Sequence, residues 1–176
     1  MAATNPVVST KGDAHTEPRK QKITTFLWFD NNAEEAARFY VSVFKNSRIL
    51  QVTHYGDLGP GPKGSVMTVN FELDGQEFTA LNGGPNFKFT EAISLLVHCQ
   101  TQEEIDYYWE KLTADGGQES QCGWLKDKYG LSWQITPDAL LNLLFDADSA
   151  KTQRAFQAML QMKKINLQDI EQAAAG

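Results

Sequence analysis

The chain has 176 residues, a formal net charge of -6, a pI near 5.0 and 11% aromatic residues. The length suits one domain, or two small repeats sharing a core, and the acidic balance argues against a general nucleic-acid or anionic-membrane surface, which needs a basic patch. Two cysteines, Cys99 and Cys122, give no disulfide framework, no apolar run approaches the ~20 residues of a membrane span, and the first residues lack the apolar stretch of a secretory signal; a reducing, cytoplasmic setting is expected.

Residues 1–21 are polar, contain Pro6, Gly12 and Pro18, and read as a flexible extension in which His15 is a solvated side chain. Order is expected from Lys22. The β-branched and aromatic run Ile23–Phe29 reads as a strand. Asp30-Asn31-Asn32 then reads as a turn and helix cap, with Glu34 and Glu35 in the first turn, where the helix dipole favours acids. Ala36, Ala37, Tyr40, Val41 and Phe44 share one face at helical spacing. Arg48–Tyr55 is a second strand. The loop GDLGPGPKG at 56–64 is too rich in glycine and proline to be helical, and its spacing is not that of a phosphate-binding loop. Ser65–Leu73 and Gln76–Leu81 flank Asp74-Gly75, a strong hairpin turn.

After Asn82-Gly83-Gly84-Pro85 the pattern starts again. Ala92–Cys99 is a strand, and Thr101–Ala114 a helix starting near Glu103 and Glu104 and followed by Asp115-Gly116-Gly117. Gln118–Leu125 and Leu131–Ile135 read as a hairpin. Pro137–Phe145, Ser149–Met162 and Leu167–Ala174 read as helices. The expected fold class is α+β: two paired β-α-β-β-β modules, 22–84 and 91–136, in one domain over 22–136, then a helical extension over 137–176. Each sheet has one face covered by its helix. The other face needs a partner or encloses a cavity, so two curved half-sheets side by side are expected to form a small-molecule pocket.

The segments LWFDNNAEEAARFY, LNGGPNFKFTEAISLLV and CGWLKDKYGLSWQI together resemble the vicinal oxygen chelate (glyoxalase/bleomycin-resistance/dioxygenase) superfamily. Within it they look like the PhnB-like branch named for demethylubiquinone 3-methyltransferase, as does AMLQMKKINLQDIEQA near the C-terminus. The resemblance covers about residues 22–174. It implies paired modules, a homodimer, and a pocket fed by four strand positions, which fall near Thr25, Asn82, Ser94 and Gln134. Metal-dependent members place His, Glu or Gln there. Thr, Asn, Ser and Gln bring neither negative charge nor imidazole, so no metal is expected, and no other cofactor. The methyltransferase name finds little support in the residues: the first strand ends Phe29-Asp30-Asn31-Asn32, without the glycine-rich turn of a dinucleotide-type site.

Other chemistry-bearing residues are few. His98 lies four residues after Ser94, on the same strand face. Cys122 would be a nucleophile only with a nearby base, for which His98 is the candidate; otherwise it is a small buried residue and His98 a strand-end histidine. Lys163-Lys164 reads as a solvated face. Trp124 and Gln134 fall on neighbouring strands, where a Trp wall and an amide suit a flat, weakly polar ligand, while Trp133 is expected under its module's helix. The expected function is therefore small-molecule binding, or metal-independent catalysis, by a homodimer, through Thr25, Asn82, Ser94, His98, Trp124 and Gln134. The alternatives are a methyltransferase, a metal-dependent lyase or dioxygenase, and an interaction module using the apolar residues Phe156, Met159, Leu160 and Met162 of the C-terminal helices.

Overall fold

The structure is a computed structural model and describes residues 21–146 and 149–176. The extension expected over 1–21, with His15, lies outside the described residues except for Gln21. The first module runs β1 (Thr25–Phe29), α1 (Ala33–Val43), β2 (Arg48–His54), β3 (Val66–Leu73) and β4 (Gln76–Asn82). The second runs β5 (Ser94–Cys99), α2 (Gln102–Thr113), β6 (Gln118–Glu119), β7 (Trp124–Lys126) and β8 (Ser132–Pro137). Their sheets are ordered β1-β4-β3-β2 and β5-β8-β7-β6. In each, the first strand pairs in parallel with the last and the remaining pairs are antiparallel. Three helices follow: α3 (Asp138–Leu144), α4 (Ser149–Met159) and α5 (Leu167–Ala175). The fold is α+β with paired β-α-β-β-β modules.

Local chemistry explains most boundaries. Asp74 and Gly75 both have positive φ, 45° and 82°, which a two-residue hairpin turn requires. Thr101 caps α2, its side chain accepting from the Glu104 amide. At α1, however, Asn32 makes no side-chain cap bond. Asn82, from the end of β4, does the work: its Oδ1 accepts from the Ala33 amide at 2.8 Å and its Nδ2 donates to the Val66 carbonyl at 3.0 Å.

The strand expected over Gln118–Leu125 is broken in two. Cys122 and Gly123 have φ of 60° and 81°, which no strand accommodates. Their amides donate to the Met162 and Lys163 carbonyls, both at 2.7 Å, so the segment after α4 takes the bonds a strand neighbour would have taken. A Cβ at Gly123 would stand 2.8 Å from the Ile135 carbonyl oxygen, in addition to the left-handed backbone. The helix expected over Ser149–Met162 correspondingly stops at Met159.

The repeat pattern led us to expect two half-sheets side by side around a pocket; a cleft with lining residues from both modules is present, at the β5 edge. The modules pack through their helix-bearing faces into one core. Tyr40 of α1 stacks on Phe71 of its own sheet and lies 5.5 Å, ring to ring, from Trp133 of the other. Phe44 stacks on both Trp133 and Tyr108. These aromatics are too large to be covered by one four-stranded sheet and its helix, and burying them against each other removes both sets from water. The opposite sheet faces, bearing Phe26 on β1 and Leu96 on β5, turn away from this core and are exposed. The C-terminal helices form a second core around Leu140, Ala155, Ile165 and Ile170. Gln102 of α2 ties it to the second module, donating to the Ile165 carbonyl and accepting from the Leu167 amide.

Candidate functional site

Strand alternation sorts the second sheet into two faces. On β8, Trp133 and Ile135 are buried in the core, and Gln134 faces the open side. On β5, Cys99 is buried, and burial raises its thiol pKa to about 12. Ser94, Leu96 and His98 therefore lie on the open face, beside Gln134. Gln134 Nε2 donates to Ser94 Oγ at 2.8 Å, across the parallel β5–β8 pair.

Within its sheet β5 pairs only with β8, so its other edge is free. A cleft of about 600 Å³ runs along that edge, against the tip of the β3–β4 hairpin. Phe44 and Tyr108, backed by the buried Trp133, form its aromatic wall. Ser94, His98 and Glu104 bring polar groups to it.

His98 is held in place. Its Nδ1 lies 2.7 Å from Asp138 Oδ1, and the other Asp138 oxygen accepts from Gln100 Nε2. The His98 bond, then the Gln100 bond, hold the Asp138 carboxyl below its ordinary range. An ionised carboxylate only accepts, so in neutral His98 the proton sits on Nδ1 and Nε2 is left as a base. Sequence reading missed Asp138: an acid directly after a proline at a helix start looks like an ordinary first-turn residue. Its partner lies 40 residues away.

Of the other expected positions, Trp124 on β7 is the direct cross-strand partner of Gln134, whereas Thr25 and Asn82 do not join this group. Thr25 alternates with Leu27 and Phe29, which are buried against α1. It thus lies on the helix-bearing face, and the open-face residues of β1 are its neighbours Phe26 and Trp28. Asn82 shares the helix side with Phe78 and Ala80 and is committed to capping α1, at the margin of a separate cavity of about 730 Å³. Trp124 lines a smaller hollow of about 180 Å³ with Lys126 and Ser132. There Ser132 Oγ is buried without a hydrogen-bond partner.

Cys122 and His98 do not form a nucleophile–base pair. Cys122 precedes β7 and His98 lies on β5, with β8 between them. Two strand spacings are about 10 Å, and the imidazole is engaged by Asp138. Among the described residues no three His, Cys, Asp or Glu side chains come together as a metal-binding group. The four strand positions that hold metal in metal-dependent relatives do not fit one here: Ser94 and Gln134 are neutral and bonded to each other, Asn82 is a cap, and Thr25 is on the other face.

The 3-demethylubiquinone-9 3-methyltransferase family model matches residues 21–136, which span both modules. No curated protein matches the chain. Among solved structures, a PhnB protein from Bacillus cereus given the same family name is 46% identical, with a TM-score of 0.61, over 66% of this chain and 99% of that one. Protein PA1353 from Pseudomonas aeruginosa is 18% identical, with a TM-score of 0.55, over 66% of this chain and 97% of that one, and shares the fold. The matched region is the paired modules that carry the cleft, and with it the chain belongs to the 3-demethylubiquinone-9 3-methyltransferase family, with a PhnB protein among its relatives.

Proposed function

We propose that the protein binds a small, flat, weakly polar organic molecule in the cleft along β5, without a resident transition metal, as a homodimer. One observation carries this reading: a cleft of about 600 Å³ in which an aromatic wall of Phe44 and Tyr108, backed by the buried Trp133, meets Ser94 and His98. That volume lies within the usual range for small-ligand sites, and an apolar wall with few polar groups is their usual chemistry. Stacking supplies affinity; Ser94, itself held by Gln134, and His98 supply orientation. The dimer is supported by the exposed apolar residues Phe26 at 63% and Leu96 at 38%, one on each open sheet face, near edges that have no strand partner among the described residues.

Native mass spectrometry of the purified protein, with elemental analysis of the same sample, tests the reading. The expected result is a dimer with substoichiometric metal that retains or takes up a small aromatic molecule, less so in the Ser94→Ala and Gln134→Ala variants. A monomer, or one equivalent of zinc, iron or nickel, overturns it.

The family name suggests methyl transfer, and the cleft is large enough for a small aromatic acceptor. No glycine-rich turn follows β1, so the donor has no evident seat there. An interaction role for the C-terminal helices has one observation in its favour: Phe156 and Leu160 of that region are each 46% exposed. Met159 and Met162 instead pack on the second core.

A further inference from the structure

We propose that His98 and Asp138 form a proton-transfer pair serving the cleft, with His98 Nε2 accepting the proton of a ligand bearing a weakly acidic hydroxyl. The inference rests on the cleft as the ligand site and adds the chemistry of its occupant. It does not depend on the dimer, because every group it uses belongs to one chain.

The geometry is that of an oriented base. Asp138 Oδ1 fixes Nδ1 at 2.7 Å, Gln100 fixes the other carboxylate oxygen, and the ring lines the cleft. A histidine held only for packing needs no carboxylate. One whose Nδ1–H is spoken for presents Nε2 as an acceptor and gains a counter-charge when it becomes imidazolium. In the step, the ligand O–H bond breaks, its electron pair stays on the ligand oxygen, and the proton bonds to Nε2. The imidazolium is balanced by the Asp138 carboxylate, so no further reactant is needed.

The charged groups at the ring and along the cleft come from four elements. Asp138 starts α3, Glu104 lies on α2 and accepts from the Gln100 amide, Lys45 follows α1, and Asp74 is in the β3–β4 turn. Two of the three carboxylates, Glu104 and Asp74, line the cleft with Lys45. Cys99, next in sequence, is a buried thiol whose pKa is raised, and it adds no charge.

The probe is 4-nitrophenol, whose phenolate has its own visible absorption band, added to the full-length protein at a pH just below the probe's own pKa. Bound probe is expected to shift toward phenolate. The shift is lost in His98→Gln and reduced several-fold in Asp138→Asn, and it is unchanged in His54→Gln, a variant of an exposed histidine on β2. A second measurement needs no ligand: long-range 1H–15N spectra should show neutral His98 as the Nδ1–H tautomer, becoming a mixture in Asp138→Asn. Failure of the probe to bind, equal ionisation in wild type and His98→Gln, or an Nε2–H tautomer in the wild type each overturns the proposal. A monomer that still ionises the probe overturns only the homodimer.

Discussion

Tyr40 Oη donates to Asp127 Oδ2 at 2.8 Å, joining α1 of the first module to the β7–β8 turn of the second across 87 residues of chain. Trp133 Nε1 donates to the same oxygen at 2.8 Å. The Tyr129 and Leu131 amides donate to the other, Oδ1. Asp127 is buried, so each of these bonds replaces water that cannot reach it. The turn, the buried Trp and the partner helix are thus set by one carboxylate, which makes it the joint on which the back-to-back module packing turns.

Tyr40→Phe removes one donor and leaves the ring in place. It should lower stability by about 1–3 kcal/mol in urea unfolding, because a buried carboxylate loses a partner. Trp133→Phe removes the second donor and opens space beside Phe44, so it should cost about 2–4 kcal/mol. Since both donors share one oxygen, the double variant should depart from the sum of the two. Additive losses would mean that the two bonds act independently.

Burial raises the Asp127 carboxyl above its ordinary value, with the four hydrogen bonds opposing the shift. The folded state therefore holds this proton more tightly than the unfolded chain. As pH falls from the raised value toward the unfolded one, Asp127 adds stability. Asp138, lowered by the His98 bond, and Asp106, lowered by the Lys164 bond, act the other way: their stabilisation is present above their unfolded values and is lost as pH falls through the folded ones. The gap in urea midpoint between wild type and Asp127→Asn should widen as pH falls through the Asp127 window. A gap that stays constant with pH would contradict the assignment.

Asn82→Ala removes the α1 cap and the bond to the Val66 carbonyl together. The expected loss is about 1–2 kcal/mol in thermal or urea unfolding, typical of a helix cap. Asn82→Asp keeps the acceptor for the Ala33 amide and should recover part of it. Ligand uptake by the folded Asn82→Ala protein should be unchanged, because Asn82 does not line the β5 cleft. Reduced uptake would return Asn82 to the binding residues.

Ending the chain after Asp146 removes the carbonyls of Met162 and Lys163 that hold Cys122 and Gly123, and uncovers Leu140. Each large apolar side chain left without cover forfeits about 1.5–3 kcal/mol. The truncated chain should unfold at lower urea with a less cooperative transition, measured by circular dichroism. A stable truncated domain would favour a partner-binding role for α4 and α5.

Much of this was legible in the sequence because it is local. The β-branched and aromatic run Ile23–Phe29 marked the first strand, Asp74-Gly75 specified its turn, and the phase of Ser132-Trp133-Gln134 put Trp133 inside and Gln134 outside, although Trp133, expected under its own module's helix, also packs on Tyr40 and Phe44 of the other module. Period-two and period-3.6 patterns record which side of an element meets water, so elements and faces follow from composition in order. The same alternation puts Thr25 on the helix-bearing face of β1, away from Ser94 and Gln134. Tertiary structure decided the rest. His98 and Asp138, Tyr40 and Asp127, and Asn82 and Ala33 are pairs whose members lie 40, 87 and 49 residues apart. Each side chain has an adequate local explanation by itself: a strand end, a turn, a cap. Only the folded chain brings these partners together: packing of one module's helix against the other module buries Asp127 beside Tyr40, the end of β4 sets Asn82 against the start of α1, and the β5–β8 pair with the start of α3 sets Asp138 beside the exposed His98.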